Sequence, residues 1–145
     1  MRLLAILLIS LSTVLAVPAW AGETSKQVTI YKDPQCSCCE GYADYLGKNG
    51  FEVKVVNTHD LALIKEEHGV PTELDGCHTS MIDGYVVEGH VPVAVLNRLL
   101  TEKPNIKGIS LPGMPEGSPG MTGQKAGPFT IYEITDGQRH VYATE

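Results

Sequence analysis

The chain has 145 residues, which is room for one domain whose core can fold without covalent cross-links. It carries 17 aspartates and glutamates against 11 lysines and arginines, and its formal net charge is −6 at pH 7. This acidic balance argues against nucleic acid and against anionic membrane surfaces as partners.

The first 21 residues predict a signal peptide that is cleaved before the domain begins. Met1 and Arg2 supply a short basic start, residues 3–17 are almost wholly apolar, and residues 19–21 read Ala-Trp-Ala, a cleavage pattern. The alternative is a single membrane anchor, but the apolar run is shorter than the roughly 20 residues that a spanning helix needs. We therefore expect export to the periplasm, a mature domain over residues 22–145 and no stable membrane association after cleavage.

The mature chain alternates between strand-like and helix-like patterns. It predicts a strand over residues 27–32, a helix from residue 37, a strand over 51–56, a short helix after residue 60, strands over 77–82 and 85–87, and a helix after residue 92. Ser37 and Glu40 have the spacing of a capping box at the start of the first helix. The first two strands should pair in parallel because a helix connects them. The order β-α-β-α-β-β-α predicts an α/β fold of the thioredoxin-like class.

The C-terminal part of the chain has a different composition. Residues 104–128 are rich in glycine and proline and include two methionines, which predicts a long Gly/Pro/Met loop that is either functional or disordered. Residues 129–134 and 140–142 then alternate again and are joined by Asp136 and Gly137, which is typical of a C-terminal β-hairpin.

Three of the four cysteines lie within residues 36–39, between the first strand and the first helix. At such a turn the free N–H groups and the positive end of the helix dipole favour thiolate. Cys36 and Cys39 have the Cys-x-x-Cys spacing of thiol–disulfide oxidoreductases, whereas Cys36 and Cys38 have a Cys-x-Cys spacing that suits chelation of a soft metal ion. A third thiol hinders a dithiol enzyme but helps a thiolate cluster, in which sulfur atoms bridge metal ions. The three cysteines together therefore favour a metal site.

Cys77 offers a fourth sulfur and is followed directly by His78 on the predicted third strand. Neighbouring residues on a strand point to opposite faces, so both can reach one ion only if the backbone bends there. Two alternatives stay open. Cys77 could form a structural disulfide with one of the first three cysteines, and His78 could face solvent or bond to the backbone.

Four further residues are candidates for the same site. Met81 lies four positions beyond Cys77 and would share its face in a regular strand, or else is a core methionine. His90 precedes the last helix, where it can lie on the side of the cysteine turn, or else is a loop histidine that faces water. Met114 and Met121 carry soft thioethers that select Cu(I) over zinc, or else pack the long loop against the domain.

Several motifs of the chain resemble those of an exported metal-binding family, long described as a domain of unknown function, that includes CopG-type copper-resistance proteins. They are Cys-x-Cys-Cys at 36–39, Cys-His-Thr at 77–79, Glu-Gly-His-Val-Pro at 88–92 and Pro-Gly-Met-Pro at 112–115. The resemblance covers nearly the whole mature chain and implies a thioredoxin-like fold, a periplasmic location and a copper cluster held mainly by thiolates. Carried over by motif, the core ligands are Cys36, Cys38, Cys39 and Cys77, and the further candidates are His78, Met81, His90, Met114 and Met121.

The sequence therefore predicts a periplasmic copper-binding protein for copper tolerance. It would hold Cu(I), as several ions in a thiolate cluster, with water excluded by Tyr42, Tyr85 and the methionine loop. A role in interconverting Cu(I) and Cu(II), as a copper oxidoreductase, is a further hypothesis, and copper efflux or periplasmic copper-handling proteins are the expected partners.

Two other functions compete with this interpretation. A thiol–disulfide oxidoreductase would use Cys36 as nucleophile and Cys39 as resolving thiol. A structural zinc site of four thiolates fits less well, because two adjacent cysteines are awkward for tetrahedral geometry.

Overall fold

The computed structural model of the protein describes residues 26–145, and the predicted signal peptide over residues 1–21 lies outside them. The order of the elements up to the third helix matches the predicted β-α-β-α-β-β-α order. No helix within residues 26–145 is long and apolar enough to cross a membrane. In chain order the described elements are β1 (Lys26–Lys32), α1 (Ser37–Lys48), β2 (Phe51–Asn57), α2 (Leu61–Glu67), a 3-10 helix (Thr72–Leu74), β3 (His78–Ile82), β4 (Tyr85–Glu88), α3 (Val93–Glu102), β5 (Gly108–Ser110), β6 (Thr130–Ile134) and β7 (Val141–Thr144).

The seven strands of the described chain form one mixed sheet, in the order β2-β1-β3-β4-β5-β6-β7. β1 pairs with β2 in parallel, which confirms the prediction, and β4 pairs with β5 in parallel. The other neighbours are antiparallel, including β6 and β7, which form the predicted C-terminal hairpin. In the pairing of β1 with β3, Lys32 lies opposite His78. The register therefore brings the turn that follows β1 next to the residues that precede and begin β3.

The sheet is covered on both faces by hydrophobic clusters. The larger cluster packs side chains of α1 and α3, such as Leu46 and Leu96, against strand residues such as Ile30. The smaller one lies on the opposite face, because Val86 belongs to it whereas its neighbour Val87 belongs to the larger cluster. Its buried members are Val70, Leu74, Val86 and Ile134, with Met81 and Tyr132 packed against them.

The prediction that Ser37 caps the first helix was wrong. Cys36 is the N-cap residue, and no side chain bonds to the helix terminus there. The backbone N–H of Cys36 donates to the Asp33 carbonyl at 3.0 Å, which winds the chain into the helix one residue earlier than the sequence indicated. Glu40, the other residue of the expected capping box, instead lies 3.4 Å from the Lys32 ammonium.

The predicted long loop contains a strand that sequence reasoning missed. β5 lies beside β4, and a Cβ on Gly108 would stand only 1.8 Å from the Val86 carbonyl oxygen. Only glycine permits this close approach, and glycine is a poor strand signal in a sequence. The part of the loop after β5 carries Met114 and Met121.

Candidate metal centre

Cys36, Cys38 and Cys39 lie at the N-terminus of α1, just beyond the C-terminal end of β1, where the sequence placed them. The Lys32 side chain is 1% exposed, and its ammonium donates to the carbonyls of Asp33 (3.0 Å) and Pro34 (3.5 Å). A buried cation therefore orders the turn that presents the three cysteines.

The four cysteine sulfurs lie close together. Cys36 and Cys39 form a disulfide, and Cys38 and Cys77 are free thiols. The Sγ of Cys38 is 3.4 Å from that of Cys36, and the Sγ of Cys77 is 3.4 Å from that of Cys39. The bridge expected as the structural alternative, from the first three cysteines to Cys77, is absent from the described chain; Cys39 is paired with Cys36 instead.

Cys77 and His78 both face the site, although they are neighbours in sequence. Cys77 Sγ is 3.4 Å from His78 Nδ1, and β3 begins only at His78, so the alternation of a strand does not apply to Cys77. The chain bends there because Gly76 packs backbone to backbone against Gly89, where a Cβ on Gly76 would stand 2.5 Å from the Gly89 nitrogen. This is the bend that the sequence analysis expected if Cys77 and His78 were both to reach one ion.

His90 joins the site from the turn before α3. It is fully buried, its Nδ1–H donates to the Pro119 carbonyl at 2.6 Å, and its Nε2 lies 3.0 Å from Cys77 Sγ. A histidine that donates one ring N–H to a carbonyl presents the lone pair of the other nitrogen, which is the usual arrangement of a metal ligand. The carbonyl of the long loop thus sets the orientation of His90 toward the thiols.

Tyr42 closes the inner side of the site. Its ring centroid is 4.8 Å from that of His78 and 5.1 Å from that of His90, and its hydroxyl donates to the Val91 carbonyl at 2.9 Å. Tyr85 lies elsewhere, at the start of β4, and its hydroxyl donates to Pro104 at 2.9 Å. Of the two tyrosines predicted to exclude water, Tyr42 is the one that contacts the candidate ligands.

Burial keeps the three inner candidate ligands, Cys77, His78 and His90, neutral. It raises the pKa of the Cys77 thiol to about 12, and the neighbouring Cys38 acts in the same direction. It lowers the pKa of His78 to about 3, and the neighbouring His90 and Lys65 act in the same direction. Burial also lowers the pKa of His90. At neutral pH the imidazoles are therefore free of competing protons, whereas Cys77 must release a proton when it binds a metal.

The donor set fits a soft metal ion. The ligand atoms of Cys36, Cys38, Cys39 and Cys77 lie within 4.8 Å of one another, and so do those of Cys39, Cys77, His78 and His90. His78 Nε2 has no hydrogen-bond partner among the described residues, although an unpaired buried polar atom costs about 1–3 kcal/mol. Thiolates together with neutral imidazoles are the ligands that Cu(I) and zinc prefer.

The structure places the three candidate methionines differently from these residues. Met81 packs against the smaller hydrophobic cluster, in agreement with the alternative of a core methionine. Met114 is 41% exposed in a positive-φ conformation, and Met121 is half-buried. Their loop does reach α1, since a Cβ on Gly120 would stand 2.4 Å from the Tyr42 nitrogen.

Sequence reasoning missed a buried polar network beside Cys77. The Glu88 carboxylate is fully buried, pairs with Lys65 and accepts hydrogen bonds from Thr79 and from the Gly76 backbone. The sequence gives little sign of it: Lys65 is the one buried residue of α2, a helix otherwise exposed or half-buried, whereas Glu88 ends the mostly buried strand β4.

Comparisons with known proteins agree with the motifs of the sequence. A family model described as "Protein of unknown function, DUF411" matches residues 74–121, a range that includes Cys77, His78, His90 and both loop methionines. Two solved structures of the copper resistance protein CopG are similar to the chain. Form 2 is 37% identical with a TM-score of 0.76, and Form 1 is 36% identical with a TM-score of 0.77.

Each of these alignments covers 83% of this chain and 98% of the CopG chain. No curated protein sequence matches the chain. The resemblance inferred from the cysteine, histidine and methionine motifs is confirmed: the chain belongs to the family of the CopG-type copper-resistance proteins, and its residues 74–121 match the DUF411 model.

Proposed function

We propose that this protein binds copper in the periplasm for copper tolerance and holds Cu(I) as a multinuclear thiolate cluster. The observation that carries the proposal is the overlap of the two ligand groups. Cys39 and Cys77 belong both to the group of four sulfurs and to the mixed group with His78 and His90. A thiolate shared between two ligand groups is a natural bridge between two metal ions.

The two groups differ in their exposure, which suggests how copper enters. The sulfur group includes Cys36 and Cys38, which are both half-buried, whereas both imidazoles of the mixed group are fully buried. Copper would meet the outer thiolates first and then pass inward to the shared sulfurs. Met114 and Met121, on the loop beside α1, are proposed as supporting soft ligands on this path.

Copper is favoured over other soft metals by the relatives of the chain, which are named as copper resistance proteins. The periplasmic location rests on the signal-peptide pattern of residues 1–21, and the expected partners are copper efflux or other copper-handling proteins of that compartment. The thioredoxin-like assignment is part of the same proposal. It is supported by the order β2-β1-β3-β4 and by the position of the cysteines at the start of α1.

The Cys36–Cys39 disulfide supports a second candidate, a thiol–disulfide oxidoreductase. Reduction of this bond takes two electrons and two protons and yields two thiols. Because both cysteines belong to the sulfur group, the oxidised form lacks two of the four thiolates, and full copper loading requires the reduced protein. The same chemistry would let the protein couple copper binding to redox change, including the hypothesised Cu(I)/Cu(II) interconversion.

The test of the copper proposal is an anaerobic titration of the reduced protein with Cu(I) against a competing chelator, with copper counted by elemental analysis. We expect more than one copper per chain and a lower count in both Cys38→Ser and Cys77→Ser. Zinc is titrated in parallel, because two thiolates and two imidazoles also suit a tetrahedral zinc site. Retention of no copper by the wild-type protein, or a preference for a single zinc ion, would overturn the proposal.

The double variant Cys38→Ser/Cys77→Ser separates the two candidates. It keeps Cys36 and Cys39, so a dithiol oxidoreductase should still reduce insulin or a model disulfide at the wild-type rate. The copper proposal predicts that the variant loses its bound metal. Full reductase activity in the wild type and in this variant, without copper binding in either, would favour the enzyme.

A further inference from the structure

A buried ion pair lies directly behind the histidine and cysteine ligands. Lys65 comes from α2 and Glu88 from the end of β4, and both are buried. One carboxylate oxygen of Glu88 accepts from the Lys65 ammonium and from the Gly76 backbone N–H at 3.0 Å, and the other accepts from the Thr79 hydroxyl. Lys65 also donates to that hydroxyl at 3.2 Å. Both carboxylate oxygens therefore have partners.

Two of the three partners of Glu88, Gly76 and Thr79, are adjacent in sequence to candidate ligands. Gly76 precedes Cys77, Thr79 follows His78, and Glu88 itself stands two residues before His90. The network consequently ties together the two short segments, 76–79 and 88–90, that carry Cys77, His78 and His90.

Stability alone does not account for this network. Replacement of a buried ion pair by hydrophobic residues of similar volume is often neutral or stabilising, because desolvation of the two charges offsets their attraction. A carboxylate that accepts from a backbone N–H at a bend, however, fixes the position of that backbone.

We propose that the network of Lys65, Glu88 and Thr79 positions Cys77 for metal binding by clamping Gly76 against the turn that carries His90. The inference rests on the proposed copper function for its biological meaning, but the clamp itself concerns the described residues alone. Cys77 Sγ lies 3.4 Å from Cys39 Sγ and 3.0 Å from His90 Nε2. Displacement of Gly76 would move Cys77 Sγ away from both of these atoms.

A matched pair of variants tests the clamp without a change in net charge between them. Lys65→Met/Glu88→Gln removes both charges but keeps an amide oxygen that can accept from Gly76. Lys65→Met/Glu88→Leu has nearly the same size and lacks that acceptor. The measured quantity is the alkylation rate of Cys77 in the reduced, metal-free full chain, determined by peptide mass spectrometry with Cys38 as the internal reference.

We expect Cys77 to be alkylated about tenfold faster in the Leu variant than in the Gln variant, with no change at Cys38, because a hydrogen bond to the Gly76 segment is lost. The Leu variant should also retain less copper per chain than the Gln variant. Equal Cys77 rates in the two variants would overturn the proposal, and so would an equal acceleration of Cys38, which indicates general unfolding.

If the Leu variant does not fold, Glu88→Asp gives the same contrast, since it keeps the charge but withdraws the carboxylate by one methylene. Alkylation of Cys77 at the wild-type rate in Glu88→Asp would overturn the clamp. Failure of the wild-type protein to bind copper contradicts the proposed function, whereas the alkylation contrast decides the clamp independently of copper.

Discussion

Replacement of Gly120 by alanine tests whether docking of the long loop on α1 organises the site. The Gly120 φ is +81°, and a Cβ there would stand 2.4 Å from the Tyr42 nitrogen and 2.7 Å from the Gly41 carbonyl carbon. A left-handed conformation costs a non-glycine residue about 1–2 kcal/mol. Overpacking against backbone typically adds about 1–3 kcal/mol. The docked loop would therefore be destabilised by about 2–5 kcal/mol, which is enough to release it.

Release of the loop should impair copper binding because it removes the partner that orients a ligand. Pro119, next to Gly120, accepts the hydrogen bond from His90 Nδ1 at 2.6 Å. Loss of such an orienting partner typically costs about 10–100-fold in metal affinity. We expect Gly120→Ala to lower the free energy of unfolding of the reduced, metal-free protein by about 2 kcal/mol or more. Its Cu(I) affinity should fall at least about tenfold.

Gly127→Ala is the matched control in the same loop. Its φ is not in the left-handed region, and apart from its chain neighbours no atom of residues 26–145 lies within 4 Å of an added Cβ, so it should behave like the wild type. Denaturant unfolding and competition with a Cu(I) chelator measure the two quantities. If Gly120→Ala and Gly127→Ala are indistinguishable in both assays, the loop does not support the site in the way described.

Three further predictions concern the protonation and identity of the inner ligands. Because the pKa of His78 is lowered to about 3 by burial, the unfolded state binds more protons than the folded state between about pH 6.5 and pH 3. The free energy of unfolding of the reduced, metal-free protein should therefore fall on acidification by up to about 1.4 kcal/mol per pH unit more in the wild type than in His78→Gln. Denaturant unfolding at several pH values measures this difference. Parallel pH profiles of the unfolding free energy in the two proteins would contradict the burial of a neutral His78. Because burial raises the pKa of Cys77 to about 12, this thiol is protonated at pH 7 and must release its proton on binding Cu(I). Cu(I) binding to Cys77→Ser should therefore release at least about one proton fewer per chain, measured by calorimetry in buffers of different ionisation enthalpy. His90→Gln should weaken Cu(I) binding at least about tenfold. The control is His59→Gln, which should leave Cu(I) binding unchanged because the His59 side chain is 77% exposed. Equal losses of Cu(I) affinity in the two variants would exclude a specific role for His90.

Local patterns in the sequence were sufficient to predict the elements that build the site. Alternation identified β1 and β2, and the intervening helix implied their parallel pairing. The three clustered cysteines were placed correctly at the start of α1, because a strand signal precedes them and a helical periodicity follows. These predictions succeeded because each depends on residues close together in the chain.

The convergence of the inner ligands depends on contacts between distant segments. Cys77 and His90 meet because the Gly76 backbone packs against Gly89, and no periodicity in the sequence reports such a contact. Met81 was expected on the face of Cys77 by counting along a strand. Cys77 precedes β3, however, and Met81 packs into the smaller hydrophobic cluster on the other face of the sheet.

The burial of charged side chains could not be predicted from the sequence for a related reason. Hydrophobic patterning assigns lysines and glutamates to the surface, yet Lys65 and Glu88 are buried because they pair with each other. Lys32 is also buried, and it satisfies its charge with the carbonyls of the cysteine turn and with Glu40. Such pairings become apparent only when the register of β1, β3 and β4 is known.

X-ray absorption spectroscopy at the copper edge on the fully loaded, reduced protein tests the proposed cluster directly. We expect Cu(I) with a shell dominated by sulfur and a copper–copper distance short enough to require bridging by shared thiolates such as Cys39 and Cys77. Copper coordinated by nitrogen and oxygen alone, or sulfur-bound copper without a copper neighbour at full loading, would contradict a cluster built on the two overlapping ligand groups.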